Sequence, residues 1–262
     1  MSRLNSYYDK LSQEDRLLVS HFLDMIEICG KSYTPKFSAF LDERQIILAE
    51  SFMNEQGCKE YKLYGGYEGA SRKMLGVFPE YWEYKEDQWE DFPVSALRFK
   101  FREADKLSHR DFLGSFMSKQ IKRNMLGDII VGNGAAAVIV HDTVKPVLMS
   151  EISKIGSVGV SVSEGDISDL HPEQSFTEKN GTVSSLRLDG VVSLAAGVSR
   201  EKSASLIKGG YVTVMYETIQ SVSHQLSRGD IFSIRGYGKF ILSSVNGRTK
   251  KDRIHITIKK YN

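Results

Sequence analysis

The residues of this sequence best suited to chemistry are cations placed where the backbone can help them hold phosphate. Ser199 and Arg200 stand at the predicted start of a helix, where unpaired N–H groups and the helix dipole favour a phosphate. Further along, Arg235 precedes the run Gly236-Tyr237-Gly238-Lys239, which we expect to form a flexible loop. An aromatic ring between two cations suits unpaired bases, and lysine suits phosphates. These residues predict a surface that binds nucleic acid.

The distribution of charge favours the same partner. The formal net charge is +2, yet residues 185–262 carry thirteen Lys or Arg against five Asp or Glu, a balance of +8. The rest of the chain carries 22 against 28, a balance of −6. A basic segment on an acidic body indicates a polyanion as partner, although each cation alone could equally be a solubilising side chain. The predicted RNA-binding residues are Arg187, Ser199, Arg200, Lys202, Lys208, Arg235, Tyr237, Lys239, Arg248 and Lys250.

A second, smaller basic patch is predicted in the middle of the chain. It consists of Arg110, Lys122 and Arg123. Because arginine and lysine side chains make most protein contacts with phosphate, we expect this patch to add to the RNA-binding surface.

Several short motifs resemble parts of enzymes but lack the partners that catalysis needs. His109-Arg110-Asp111 resembles a kinase catalytic loop, yet Phe116 occupies the position of the metal-binding Asn, and the sequence has no Gly-rich ATP loop. Gly132-x-Gly134 lacks the third glycine of a dinucleotide loop. Arg187-Leu188-Asp189 resembles the motif of pseudouridine synthases, but fewer than eighty residues follow it, too few for a catalytic domain. We therefore predict no catalytic residue and expect that the chain is not an enzyme.

Composition narrows the setting in which the chain works. Cys29 and Cys58 are too few for a disulfide framework, and no Cys or His spacing indicates a metal site, so we expect reduced thiols and no metal or cofactor. The N-terminus lacks the apolar segment of a signal peptide, and no apolar run approaches the roughly 20 residues that span a bilayer. We expect a cytoplasmic protein without membrane association.

The first two predicted domains follow from hydrophobic periodicity. Residues 1–80 are predicted as a mixed α/β domain, with one helix from Ser12 to about Gly30 and another from Ser38 to about Gln56. Residues 81–165 are predicted as a central RRM-like (ferredoxin-like) domain, because strands and helices follow one another in the order β-α-β-β-α-β. Its predicted elements are Ser95–Arg102, Ser108–Gln120, Asp128–Gly132, Ala135–Val140, Val144–Ile155 and Val158–Val162.

A polar, acidic stretch over residues 166–182 is predicted as a linker to the last domain, residues 183–262. In that domain, apolar residues at helical spacing predict a short helix ending at Gly197, and a second helix runs from Arg200 to Gly209-Gly210. A strand over Tyr211–Tyr216 follows, then strands near the C-terminus. The whole chain is therefore predicted to be an α+β protein of three parts.

The motifs of the last domain resemble the S4 (αL-type) RNA-binding domain, in which two paired helices and the turn after them bind RNA. One position departs from that pattern, since Met215 stands where Asn usually follows the second Val. The matching residues are Arg187-Leu188-Asp189, Ser199-Arg200, Lys202, Lys208, Gly210, Val212, Val214, Gly229-Asp230 and Arg235-Gly236-x-Gly238.

Motifs along the rest of the chain resemble the bacterial YlmH family in both residues and order. Ser71 departs from this pattern, since relatives usually have Glu there. The matching motifs are Gly65-Gly66-Tyr67-x-Gly69-Ala70, His109-Arg110-Asp111-x-Leu113-Gly114, Ile121-Lys122-Arg123, Gly127-Asp128-Ile129 and Val183-x-Ser185-x-Arg187-Leu188-Asp189.

The resemblance implies an N-terminal domain, an RRM-like domain and an S4 domain in a ribosome-associated quality-control factor. Members of that family are implied to act on large ribosomal subunits obstructed by peptidyl-tRNA, so the expected partners are ribosomal RNA and tRNA, bound by a monomer. Two alternatives stay open at this point. One is a cell-division protein that binds RNA secondarily and recruits a division-protein partner. The other is an RNA-modifying enzyme that an S4 domain targets to its substrate.

Overall fold

The computed structural model describes residues 11–82, 91–165, 176–249 and 252–261. The chain divides into two compact units, Met1–Pro172 and Glu173–Asn262. The described residues form six α-helices and four β-sheets, so the protein belongs to the α+β class that the sequence predicted. No helix of the described ranges has the length and apolarity that crossing a membrane would require.

Two capped helices open the first unit. Helix α1, Gln13–Ser32, begins where Ser12 Oγ accepts a hydrogen bond from Asp15 N at 3.1 Å, as its sequence predicted. Helix α2, Glu43–Glu55, begins later than predicted, at a capping box formed by Asp42 and Gln45. The predicted start at Ser38 is wrong, because the buried Ser38 hydroxyl accepts a hydrogen bond from Leu75 N at 2.9 Å. Ser38 therefore joins the sheet instead of a helix.

A three-stranded antiparallel sheet packs against these helices, in the order β1-β3-β2. Side chains from both helices and from the sheet fill one core, in which Phe22 and Phe52 are fully buried. The strands are β1 Lys36–Phe37, β2 Tyr61–Tyr64 and β3 Met74–Val77.

The rest of the first unit contains the β-α-β-β-α-β order that the sequence predicted. Its four-stranded sheet has the order β5-β6-β4-β9, and every neighbouring pair is antiparallel. Helix α3 starts with a capping box between Ser108 and Asp111. The elements are β4 Val94–Lys100, α3 His109–Ser118, β5 Leu126–Val131, β6 Ala135–His141, α4 Lys145–Glu151 and β9 Ser161–Glu164, with a 3₁₀ turn at Arg123–Met125.

Two predicted boundaries in this region differ from the structure. Helix α4 ends at Glu151 rather than Ile155, because a small hairpin of β7, Lys154–Ile155, and β8, Val158–Gly159, follows it. Gly156, with a φ of 57°, closes that hairpin in a left-handed conformation that suits glycine. The last strand consequently pairs with β4 from Ser161 onward, three residues later than predicted.

The two domains predicted within residues 1–165 share buried side chains. Phe40, Met74 and Phe78 pack in one cluster with Phe92 and Ile139, which lie beyond the predicted boundary at residue 80. Gly127 also lies under this cluster, since an added Cβ would come within 2.9 Å of the Phe40 ring. This shared packing makes the two predicted domains parts of one compact unit.

The second unit is built on a six-stranded antiparallel sheet in the order β10-β15-β14-β13-β11-β12. Two short helices, α5 and α6, contribute Leu188, Val192 and Ile207 to its core. The helices are α5 Leu188–Ala196 and α6 Arg200–Lys208. The strands are β10 Phe176–Val183, β11 Val212–Val214, β12 Glu217–Thr218, β13 Ile231–Ile234, β14 Gly238–Arg248 and β15 Ile254–Tyr261.

The predicted linker over residues 166–182 is wrong for its last part, and its first part, 166–175, lies outside the described residues. Strand β10 pairs with β15 along its whole length, from Phe176 opposite Tyr261 to Val183 opposite Ile254. Its side chains from Thr177 to Asn180 are exposed at the sheet edge. Polar and charged residues protect an edge strand from pairing with further strands. Because a linker has the same polar composition, the sequence of β10 predicts a linker.

Candidate nucleic-acid interface

The centre of the predicted binding surface is an aspartate held between two arginines. Asp189 lies in the first turn of α5, where its Oδ1 accepts a hydrogen bond from Gly190 N at 2.9 Å. Arg187, the residue before the helix, places its Nε 3.3 Å from Asp189 Oδ1. Arg200, the first residue of α6, places an Nη2 3.3 Å from Asp189 Oδ2. The fold thus brings together three residues that the sequence separates into two motifs.

Burial differs sharply between the members of this cluster. The side chain of Asp189 is 14% exposed, whereas those of Arg187 and Arg200 are 38% and 56% exposed. Burial alone would raise the pKa of Asp189, but the hydrogen bond from Arg187 and the positive charges of Arg200 and Arg187 outweigh it and lower the pKa. The carboxylate stays ionised, and the cluster presents a net positive charge on exposed guanidinium groups.

Hydrogen bonds from neighbouring segments fix the two helices that carry the cluster. Ser203, which is fully buried, has its Oγ 2.8 Å from Asp189 O and 2.9 Å from Arg200 O, so it links α5 to α6. Leu188 N donates to His224 O at 2.8 Å and Asp189 N donates to Val222 O at 3.2 Å. These bonds satisfy two backbone N–H groups at the start of α5. The guanidinium groups of Arg187 and Arg200, rather than these N–H groups, are therefore the donors available to a ligand.

The other predicted residues of α6 lie on its outer side. Ser199 caps the helix, its Oγ accepting a hydrogen bond from Lys202 N at 3.2 Å. The side chains of Lys202 and Lys208 are exposed at opposite ends of the helix. Both lysines add exposed positive charge to α6.

The predicted cations near the C-terminus are placed less favourably for binding. Arg248 Nη1 lies 2.6 Å from the carboxylate of Asp252, and both side chains are exposed. Lys250 lies outside the described residues. An exposed ion pair of this kind contributes little to stability, so Arg248 could exchange its partner at small cost.

The run from Gly236 to Lys239 is a tight hairpin between β13 and β14, and the predicted flexible loop is wrong. Tyr237 N donates to Ile234 O at 2.9 Å, and Tyr237 packs partly buried against the core of the second unit. Lys239 lies among aromatic rings, with Nζ 4.8 Å from the centroid of Tyr261 and 3.3 Å from the hydroxyl of Tyr216. The Tyr237 ring is thus only partly accessible for base stacking, and Lys239 lies against aromatic rings instead of extending into solvent.

An exposed aromatic ring that the sequence reasoning missed lies nearby. Tyr211 is 46% exposed, and the guanidinium carbon of Arg235 lies 5.8 Å from its ring centroid. Arg235 N also donates to Tyr211 O at 2.9 Å, which holds the two residues together. Gly209 leaves room for the ring, since a Cβ there would lie 2.8 Å from Tyr211 Cε2. The pair offers the accessible ring and nearby cation that the sequence predicted at Tyr237. In the sequence, the two glycines before Tyr211 are the feature that could have indicated an exposed ring there.

The second predicted patch divides into two exposed cations and one half-buried arginine. Arg110 and Lys122 are exposed. Arg123 instead turns inward, its Nη1 donating to Leu126 O at 2.7 Å and to Gly127 O at 3.1 Å. Burial and the nearby charge of Arg72 lower the pKa of Arg123 to about 10. Burial and the charge of Arg123 likewise lower the pKa of His109.

Arg123 belongs to a structural network around Asp128. The carboxylate of Asp128 accepts hydrogen bonds from the Tyr67 hydroxyl at 2.7 Å, from Ser71 N at 2.7 Å and from Arg72 N at 3.1 Å. Burial and the bond to Asp128 raise the pKa of Tyr67. Ser71 contributes only its backbone to these contacts, so the departure from the usual Glu leaves them intact.

The side chain of Arg72 completes this network by binding backbone carbonyls. Its Nε donates to Leu126 O at 3.0 Å and its Nη2 donates to Phe40 O at 3.0 Å. The motif of Tyr67 therefore meets the neighbouring motifs of Arg123 and Asp128 in the first unit, although 61 positions separate Tyr67 from Asp128. In the parts of the chain that the structure describes, no group of three or more His, Cys, Asp or Glu could hold a metal ion.

Comparison with known proteins relates the chain to one family. The family model described as "Putative RNA-binding domain in YlmH" matches residues 88–169. A protein of Bacillus subtilis (strain 168), described as "Ribosome-associated protein quality control protein P2", is 33% identical over 261 residues, 98% of this chain and 99% of that protein.

A solved structure shows a similar fold. It is described as "Cell division protein ylmH from Streptococcus pneumoniae", and it aligns with a TM-score of 0.51 and 22% sequence identity. The alignment covers 61% of this chain and 95% of that one. At this identity the likeness concerns the fold alone.

Proposed function

This chain belongs to the YlmH family, and from that premise we propose that it is a ribosome-associated RNA-binding protein of translational quality control. Its partners in this proposal are ribosomal RNA and tRNA on large subunits obstructed by peptidyl-tRNA. The name of the B. subtilis relative, which is 33% identical over nearly the full length of both chains, supports the ribosomal setting.

The observation that carries the proposal is the pair of arginines around the less accessible Asp189, with Arg187 partly exposed and Arg200 exposed. Arg187 and Arg200 come from the starts of two adjacent helices and are oriented by one carboxylate. Arginine N–H groups held in this way can each form paired hydrogen bonds with phosphate oxygens. In this proposal the exposed Lys202 and Lys208 of α6 supply further phosphate contacts, and the Tyr211–Arg235 pair supplies a ring on which a base can stack.

We further propose that the second unit contains an S4 domain. The two short helices α5 and α6, followed by strands β11 to β15, support that assignment. For the first unit we propose an RRM-like domain, because its sheet has the first and third strands in the centre, as in ferredoxin-like folds. The family model over residues 88–169 carries an RNA-binding description, which supports a secondary contact through Arg110 and Lys122.

RNA binding in solution tests the proposal directly. The affinity of the full chain for ribosomal RNA and tRNA is measured over a range of salt concentrations. Four to six phosphate contacts give a slope of log affinity against log salt of roughly −3 to −5. We expect Arg200→Ala with Lys202→Ala to weaken binding and to make the slope less negative by about 1.4 to 1.8. Lys31→Ala, which removes an exposed cation of the first unit, is the control and leaves both quantities unchanged.

Sedimentation of a tagged chain from cell lysate tests the ribosomal setting. We expect co-migration with large subunits and crosslinks to ribosomal RNA and tRNA that disappear in the Arg200→Ala, Lys202→Ala variant. A chain that stays at the top of the gradient, and co-purifies with division proteins after RNase treatment, would contradict the proposal.

A further inference from the structure

A basic groove runs along the second unit beside the predicted binding surface. It encloses about 420 Å³ between β10, α5 and the start of α6, within the range of roughly 300–1,000 Å³ typical of ligand sites. Three cations line it, Lys179 from β10, Arg200 from α6 and Arg253 from the segment before β15. Among the described residues, the lining contains no Asp or Glu. We call it the β10 groove.

Two cations of the β10 groove, Lys179 and Arg253, are held by neutral acceptors, whereas Arg200 pairs with Asp189. Lys179 Nζ donates to Ala195 O, near the end of α5, at 3.2 Å. Arg253 Nε donates to Thr182 Oγ1 at 3.0 Å, and its Nη2 donates to Thr182 O. Carbonyl and hydroxyl groups orient these side chains without cancelling their charge. The positive charges of the groove therefore favour the binding of a polyanion.

Small residues keep the floor of the groove open next to these charges. A Cβ at Gly190 would make van der Waals contact with Arg200, 3.5 Å from its Nη2. Gly197, which has a φ of 68°, lies so close to Lys179 that a Cβ would be 3.4 Å from its Nζ. Any larger side chain at either position would fill the space beside the cation. The geometry suits a ligand that brings phosphate oxygens to the floor.

Arg200 connects the groove with the surface described above, since it lines the groove and also pairs with Asp189. We propose that the β10 groove is a second RNA site, which binds the sugar–phosphate backbone of the strand continuing from the phosphate held at Arg200. This inference rests on the proposed function, because it requires RNA at α6. Lys179 and Arg253 then contact phosphate without reading base sequence.

The test measures RNA affinity of the full chain against salt for Lys179→Ala combined with Arg253→Ala. Loss of two phosphate contacts should weaken binding roughly tenfold and make the slope less negative by about 1.4 to 1.8. The matched control is Arg228→Ala with Lys259→Ala, which removes two cations of the same unit outside the groove lining and leaves the slope unchanged. Lys179→Arg with Arg253→Lys keeps both charges, and its slope should match that of the unaltered chain.

The outcomes distinguish a failure of the groove inference from a failure of the proposed function. If the groove variant behaves like its control while Arg187→Ala with Arg200→Ala loses binding, the groove inference is overturned and the proposed function stands. If the unaltered chain binds neither ribosomal RNA nor tRNA, the proposed function fails and the groove fails with it. Should the double alanine variant unfold, Lys179→Gln, which retains an N–H donor for Ala195 O, repeats the measurement. An unchanged slope for that variant overturns the groove.

Discussion

Two clusters of this protein place two arginines near one aspartate, but the arginines have different hydrogen-bond partners. In the first unit, Arg72 and Arg123 lie near Asp128, and in the second unit Arg187 and Arg200 lie beside Asp189. Arg72 and Arg123 each donate two hydrogen bonds to backbone carbonyls and are partly buried. Arg187 and Arg200 bind the carboxylate and extend into solvent.

The difference shows that the hydrogen-bond partners of an arginine, rather than its neighbours in sequence, indicate its role. Arg72 donates to carbonyls of two separate segments and holds them together, whereas Arg123 holds the local turn through Leu126 O and Gly127 O. A guanidinium that reaches only a carboxylate at 3.3 Å keeps donors for a ligand. We therefore expect substitutions at the Asp128 cluster to change stability, and substitutions at the Asp189 cluster to change binding.

The largest expected effect is that of Asp128→Ala on the stability of the first unit. It removes the acceptor of the Tyr67 hydroxyl and of two backbone N–H groups, and it leaves partly buried arginine charge uncompensated. The free energy of unfolding should fall by about 3 to 5 kcal/mol. Both tryptophans, Trp82 and Trp89, belong to this unit, so urea unfolding followed by tryptophan fluorescence reports on it. A decrease in the free energy of unfolding of less than about 1 kcal/mol would contradict the structural role assigned to the Asp128 cluster.

A matched pair of neighbouring substitutions sharpens the comparison within the first unit. Arg123→Ala should destabilise it by about 2 kcal/mol, because two carbonyl acceptors lose their donor. Lys122→Ala, at an exposed position, should leave stability unchanged to within about 0.5 kcal/mol. The same fluorescence experiment measures both, and similar losses for the two variants would remove the distinction between them.

Asp189→Asn tests the second cluster and its dependence on pH. It should cost about 1 to 2 kcal/mol at neutral pH, since the charged acceptor of Arg187 and Gly190 N is lost. The pKa of Asp189 is lowered, so its contribution is present above the ordinary value of about 3.9 and is lost as the pH falls through the folded-state pKa. Far-UV circular dichroism in urea at several pH values should therefore show the two chains converging in acid. A constant difference would contradict this account.

The smallest expected effect is a gain in stability at the turn between β11 and β12. Met215 and Tyr216 have φ values of 46° and 68°, a two-residue turn that favours Asn followed by Gly. Met215→Asn should stabilise the second unit by about 0.5 to 1 kcal/mol, because asparagine tolerates a left-handed conformation. Circular dichroism in urea measures the change. A loss would show that the contact from Ile231 N to the Met215 sulfur, at 3.4 Å, outweighs the strain.

Local patterns in the sequence were enough for the elements that position both clusters. The spacing of Leu188, Val191, Val192 and Ala195 predicts α5, and all four are buried in the structure. Ser12 and Ser199 stand at the predicted starts of helices, and in the structure both side chains accept an N-cap hydrogen bond. Such features depend on side chains within one or two turns of each other, which is why the chain order alone reveals them.

The sequence by itself determined the α+β class, the element order of the central sheet, the basic character of the last domain and, through its motifs, the family. Only the tertiary structure decided that β10 is a strand, that side chains on both sides of the predicted boundary at residue 80 pack in one cluster, and that Arg123 turns inward while Arg200 stays exposed. Arg72 reaches carbonyls 54 and 32 positions away, and β10 pairs with a strand about 80 residues later. Contacts over such separations depend on which surfaces the folded chain brings together, and spacing along the sequence does not encode that choice.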